Sequence, residues 1–210
     1  MNQLARVGTG LCLAITCFGC VPWTLGQTAE TLAPGSVSAG VGAAVLSPPQ
    51  RITDALPVPQ IWVRTGLRDG LDAGLTYVAP GTAQLDLKQR LHTGPQTVWA
   101  VRAGGGIHAM YDVLDLADRA SMLHPFVSAC LLRSSRTVPD THANYAAVRA
   151  FMPFHTGHDF AAALWLTVST GRAWHTNRWQ FGPEIGLAAT VSQPTAPFLL
   201  AAFSVRRRPF

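Results

Sequence analysis

The sequence predicts an all-β fold: an antiparallel up-and-down β-barrel of about ten strands, with eight or twelve as alternatives. Three observations carry this prediction. Past the N-terminal stretch, no segment reaches the ~18–20 consecutive apolar residues of a membrane helix, although 48% of the residues are hydrophobic and 13% charged. Apolar residues recur instead at every second position, in runs of about ten. Clusters of Gly, Pro, Asp and Asn separate these runs.

The N-terminus reads as an export leader. Arg6 precedes an apolar stretch from Val7 to Phe18, too short for a comfortable membrane span. Residues 1–26 are therefore assigned to a signal peptide, 27–36 to a linker and 37–210 to the barrel domain. Gly19-Cys20 resembles the end of a bacterial lipobox, which makes Cys20 a candidate lipidation site, although Cys17 and Phe18 depart from the pattern. The simpler reading is ordinary cleavage after Gly26, with Thr24 and Gly26 as the small residues. Both readings leave too few cysteines for a disulfide framework, and Cys130 reads as a small apolar filler.

The first run, Val37 to Val45, sets Val37, Ala39, Val41, Ala43 and Val45 opposite Ser38, Gly40, Gly42 and Ala44. The second, Pro59 to Leu67, sets Ile61, Val63, Thr65 and Leu67 opposite Trp62, Arg64 and Gly66. A three-residue loop at Arg68-Asp69-Gly70 pairs Leu67 with Leu71 and Val63 with Leu75, with Gly70 left-handed. The third run places Leu71, Ala73, Leu75 and Tyr77 against Asp72, Gly74 and Thr76. The fourth alternates Leu85, Leu87, Gln89 and Leu91 with Gln84, Asp86, Lys88 and Arg90. A loop at Pro80-Gly81-Thr82 would set Asp72 opposite Arg90 and Thr76 opposite Asp86, a favourable cross-strand arrangement.

The fifth run, Val98 to Ile107, precedes a connection over 111–122 with a weak helical pattern. Five further runs lie near 126–133, 145–151, 161–169, 179–191 and 198–205. Pro183 interrupts the ninth and predicts a bulge or irregularity there. Aromatics near the run ends (Tyr77, Trp99, Phe126, Phe154, Phe160, Trp174, Trp179 and Phe198) suit interfacial girdles.

The polar face carries Arg64, Asp72, Asp86, Lys88, Arg90, Arg102, Arg149 and Glu184, with Arg206 as a further possibility. Period-2 alternation fits two architectures: a soluble sheet with charges outward, or a membrane barrel with charges inward. The leader and the glycine-rich charged face favour the barrel, whose narrow lumen would be filled by side chains.

Thr31-Leu32-Ala33-Pro34-Gly35 followed by a glycine-alternating strand resembles the start of small bacterial outer-membrane β-barrel proteins. So do the stretches Thr65-Gly66-Leu67-Arg68-Asp69-Gly70-Leu71-Asp72-Ala73-Gly74-Leu75 and Gln84-Leu85-Asp86-Leu87-Lys88-Gln89-Arg90-Leu91. The resemblance covers residues 31–107. It implies a location in the outer membrane of a Gram-negative cell, with outer-membrane lipid and other envelope proteins as partners. Phe210 ends the chain as in many such barrels, but Arg206 and Arg208 break the alternation before it.

The dispersed arginines lack interleaved aromatics, so the formal charge of +5 does not predict nucleic-acid binding. His155-Thr156-Gly157-His158-Asp159 could hold a metal through His155, His158 and Asp159, but a polar turn explains it more simply. Nothing calls for a cofactor. His175-Thr176 invites comparison with outer-membrane lipid deacylases, but a serine and an acid are missing nearby. A packed, charged lumen favours a structural or interaction role over bulk solute passage. A soluble periplasmic barrel or sandwich binding an apolar ligand is the first alternative, and a lipid-modifying enzyme the second. Oligomeric state stays open.

Overall fold

The computed structural model describes residues 27–47, 57–79, 81–110, 122–136, 142–154, 164–191 and 193–207. Ten antiparallel strands follow in chain order: β1 (Val37–Ser47), β2 (Pro57–Arg68), β3 (Leu71–Val78), β4 (Thr82–Thr93), β5 (Thr97–Met110), β6 (Met122–Arg136), β7 (His142–Pro153), β8 (Trp165–His175), β9 (Trp179–Thr190) and β10 (Gln193–Arg207). Each pairs with the next. β1 then pairs with β10, from Gly40 opposite Arg206 to Ser47 opposite Leu199, closing the barrel. Closure removes the open edge that would otherwise template aggregation. The expected class and the count of ten both hold.

The chain enters β1 and leaves β10 at one end of the barrel, here called the turn end. The β2–β3, β4–β5 and β8–β9 connections there are tight. At the opposite, loop end, β3 and β4 and also β9 and β10 follow each other closely, whereas longer stretches of sequence, 48–56, 111–121 and 154–164, separate β1 from β2, β5 from β6 and β7 from β8.

The alternation decides which residues point in. Val37, Val41, Ile61, Leu75, Leu85, Leu87, Val168 and Ile185 are exposed on the outside, Leu85 by as much as 67%. Ser38, Gln60, Arg64, Asp72, Asp86, Lys88, Arg102, Arg149, Glu184 and Arg206 are buried inside. This is the reverse of a soluble domain.

Two details differ from expectation and a third fits it. In the β2–β3 hairpin Val63 pairs with Leu75 as predicted, and Gly70 adopts φ 74°. Leu71, however, opposes Arg68 rather than Leu67, because a register shift after Gly66 shortens the turn to Asp69-Gly70. The β3–β4 loop sits one residue earlier than expected, so Asp72 faces Lys88 instead of Arg90, and Thr76 faces Gln84 instead of Asp86. This two-residue slip preserves which face each side chain occupies. At Pro183, the register to β8 holds, but pairing lapses between Gly171–Glu184 and Trp174–Phe181. The irregularity is thus an interrupted ladder, and proline has no N–H to donate there. Residues 111–121 of the expected helical connection, Phe160 and Phe210 lie outside the described residues, and Met122 already opens β6.

Two of the expected girdle aromatics turn inward. Phe126 is buried against Phe151, with ring centroids 4.8 Å apart. Phe198 packs on Trp165 at 5.7 Å beside the cluster of Ala44, Phe126, Phe151, Ala188 and Leu200. Trp99, Trp174 and Trp179 stay at the turn end. The Arg133 guanidinium lies 5.7 Å from the Trp99 ring centroid, and Trp174 stacks on Phe181 at 6.0 Å.

Candidate functional site: the barrel lumen

Antiparallel register places inward residues of successive strands side by side. Asp72 stands opposite Lys88, Lys88 opposite Arg102, Arg102 opposite Cys130, and Cys130 opposite Arg149. A second row runs from Arg64 through Gly74, Asp86 and Gly104 to Ser128. The charges predicted from five separate runs therefore meet on one wall.

Arg64 is the hub. Its Nε donates to Asp72 Oδ1 at 2.7 Å, and its Nη2 donates to the same oxygen. Its Nη1 donates to Asp86 Oδ1 at 2.6 Å. Lys88 Nζ lies 3.3 Å from Asp72 Oδ2, and Arg102 Nε lies 3.8 Å from Asp86 Oδ2. Burying such charges is tolerable only when partners replace lost water.

Glycine makes the hub possible. A Cβ on Gly74 would sit 2.8 Å from Arg64 Cζ, so the guanidinium crosses β3 over a bare backbone. The same device recurs across the barrel. Gly171 lies between Tyr145 and Glu184, and a Cβ there would strike the Tyr145 ring. Tyr145 instead reaches across to donate to Glu184 Oε2 at 3.3 Å.

Arg90 departs from the expected network. It sits near the end of β4, where its Nη2 pairs at 2.7 Å with Asp69 of the β2–β3 turn. The two side chains are 31% and 84% exposed, so this is a rim contact. Arg206 joins the interior, donating through Nε to Gln180 Oε1 at 2.9 Å.

The segment before β1, read as a linker, folds back into the lumen at the turn end. Gln27, Thr28, Ala29 and Leu32 are buried. Lys88 Nζ donates to the Glu30 carbonyl at 2.5 Å and to the Thr28 carbonyl at 3.4 Å. The Leu32 N–H donates to Asp72 Oδ2 at 3.2 Å, and the Ala29 N–H to Ser134 Oγ at 2.6 Å. Ala29 packs on the apolar wall of Val98, Ala100, Cys130, Leu132 and Ala147. Glu30 pairs with Arg136 at 2.5 Å.

Alternation could not reveal this insert, because residues 27–36 have no period. Charge count was the available signal. Among the described buried residues, Arg64, Lys88, Arg102, Arg149 and Arg206 outnumber Asp72, Asp86 and Glu184, so further acceptors had to come from elsewhere in the chain.

His175, the last residue of β8, shares inward parity with buried Ala173. Its side chain therefore lies on the lumen side of the wall rather than the lipid side. The Thr176 hydroxyl is engaged in its own turn, accepting from the Trp179 N–H at 3.0 Å and donating to the Trp179 carbonyl at 3.2 Å. Cys20, His155, His158 and Asp159 lie outside the described residues. Among the described residues, no group of His, Cys, Asp and Glu has metal-binding geometry.

Solved structures similar to this chain include a KdgM porin, at 5% identity with a TM-score of 0.46, covering 81% of this chain and 98% of that one. The outer-membrane protease OmpT from Escherichia coli is 8% identical with a TM-score of 0.45, covering 87% and 100%. A porin matches at 12% identity and a TM-score of 0.36, covering 85% and 60%. These neighbours are outer-membrane β-barrel proteins. No family model and no curated protein matches the chain.

Proposed function

We propose that this chain is a small outer-membrane β-barrel whose lumen is filled by side chains and by its own N-terminal segment, serving an anchoring or interaction role. One observation carries the reading: the inversion of polarity, with the Arg64–Asp72–Asp86–Lys88 cluster buried inside and Val41, Ile61, Leu85, Leu87 and Ile185 exposed outside. An apolar exterior is stable in lipid and unfavourable in water. Short connections and both strand termini at one end suit the periplasmic face, and the longer segments suit the outside.

The buried charge network and the inserted segment oppose bulk solute passage. Outer-membrane lipid is the obligatory partner, and other envelope proteins are the class that the turn end would meet. Removal of a leader ending at Gly26 belongs to this reading. The N-terminal mass of the purified barrel checks it, with a lipid-bearing Cys20 as the contrary result.

Membrane fractionation with heat-modifiable gel migration tests the whole. The expected outcome is an outer-membrane protein that migrates differently before and after boiling. Recovery as a soluble periplasmic monomer would overturn the proposal and return the soluble alternative.

A further inference from the structure

The segment 27–33 is held in an unusual way. Four of the hydrogen bonds that fix it, from Lys88 to two carbonyls and from two N–H groups to Asp72 and Ser134, use its main chain. One further lumenal contact uses a side chain, from Arg206 Nη2 to Thr28 Oγ1 at 3.5 Å. Main-chain recognition of an extended peptide gives affinity without demanding a particular sequence. Of its buried side chains, Thr28 and Ala29 are small, and Ala29 packs on the apolar wall around Leu132, whereas Gln27 and Leu32 are larger and ask the cleft for room at those two positions.

The groups that grip the segment also grip one another. Lys88 Nζ stays within 3.3 Å of Asp72 Oδ2, and Asp72 also accepts from Arg64. The withdrawn segment would therefore leave Lys88, Asp72 and Arg64 paired with one another, so this wall of the cleft is formed in advance.

The segment also has a defined pivot. Gly35 donates its N–H to the Gly66 carbonyl and Gly66 donates back to Ser36, both at 2.9 Å. Gly35 has φ 76°, and a Cβ on Gly66 would overlap the Ala33 backbone. The strap is thus pinned at residues 35 and 36, with residues 27–33 beyond the pin.

We propose that the turn-end half of the lumen is a peptide-binding cleft, occupied in cis by residues 27–33, which exchanges this strap for an extended, acid-bearing segment of a partner protein. The acid is specified by the seat that Arg136 gives Glu30, 2.5 Å away at the mouth of the cleft. This deepens the interaction reading above and rests on it for the partner's compartment and for the leader removal that frees the strap at Gln27.

A strap on so short a tether competes at an effective concentration on the order of millimolar, so a free peptide must reach that range. The probe is a photo-reactive peptide of the sequence Gln27 to Ala33, offered to the mature barrel in detergent micelles. Two forms are compared in a Cys130→Ala background: one unlocked, and one with Ala29→Cys and Ser134→Cys oxidised to pin the strap. Capture by the unlocked form, reduced about tenfold or more by locking, is the expected result. Capture by neither means a permanent plug, and equal capture by both means binding elsewhere; each overturns the proposal.

Hydrogen exchange on the unsubstituted chain gives an independent check should the cysteine pair impair folding. The Ala29 and Leu32 amides should exchange far faster than ladder amides of β4 and β5. Equal protection would overturn the proposal. Neither measurement depends on fractionation, so a failed membrane assignment and a fixed strap give different outcomes.

Discussion

Replacing Arg64 by methionine would test whether the lumen is a dry, mutually dependent charge network. The change keeps much of the side-chain volume but removes the donor shared by Asp72 and Asp86. Both carboxylates are fully buried. Breaking a buried pair by deleting one partner costs ~3–5 kcal/mol. Lys88 at 3.3 Å and Arg102 at 3.8 Å still partly neutralise the two acids. The lower end, about 3 kcal/mol, is therefore expected, or about a hundredfold in the folding equilibrium. Equilibrium urea unfolding in phospholipid vesicles, followed by tryptophan fluorescence, measures it. Adding Asp86→Asn should recover little of the loss, because it removes one under-paired acid but also takes from buried Arg102 the carboxylate 3.8 Å away. A loss below about 1 kcal/mol for Arg64→Met would mean that water reaches these carboxylates, and the reasoning would fail.

Further substitutions probe other parts of the same argument. Asp69→Ala should change stability by less than about 1 kcal/mol in the same unfolding assay, because its pair with Arg90 is a rim contact. Gly74→Ala should cost ~1–3 kcal/mol by displacing the Arg64 guanidinium, and much less in the Arg64→Met background, a non-additivity that a double-mutant cycle detects. Leu87→Arg, at an exposed position in the middle of β4, should cost ~2–4 kcal/mol in vesicles. A near-neutral result there would contradict a lipid-facing wall. Epitope insertion within 154–164 should be detected on intact cells, whereas insertion at Asn177 should need permeabilisation; the reverse pattern would invert the proposed orientation.

The strand parity was legible in the sequence because a β-strand turns every second side chain to the same face. Ile61, Val63, Leu85 and Leu87 share one parity, and Arg64, Asp86 and Lys88 the other, whatever their partners. This settled which residues belong together, and it survived the two-residue slip of the β3–β4 register. The meaning of each face was not legible, since period 2 is identical for a soluble sheet and a lipid-facing barrel. Closure of β1 on β10 and the burial of the charges distinguish them.

Aromatics near run ends were ambiguous for a related reason. A ring at a strand terminus suits either an interface or a cap on the lumen, and Phe126 and Phe198 took the second role because Phe151 and Trp165 face them from other strands. By itself, the sequence determined the number of strands, their two faces and, apart from Arg90, the charged residues of the interior, all consequences of local periodicity, while it set the eighth strand too early, at 161–169 against Trp165–His175. Only the tertiary structure decided which charges pair, that Arg90 leaves the interior for Asp69, and that residues 27–33 fill it. Those outcomes depend on register, barrel closure and main-chain hydrogen bonds between residues far apart in the chain, which no local pattern encodes.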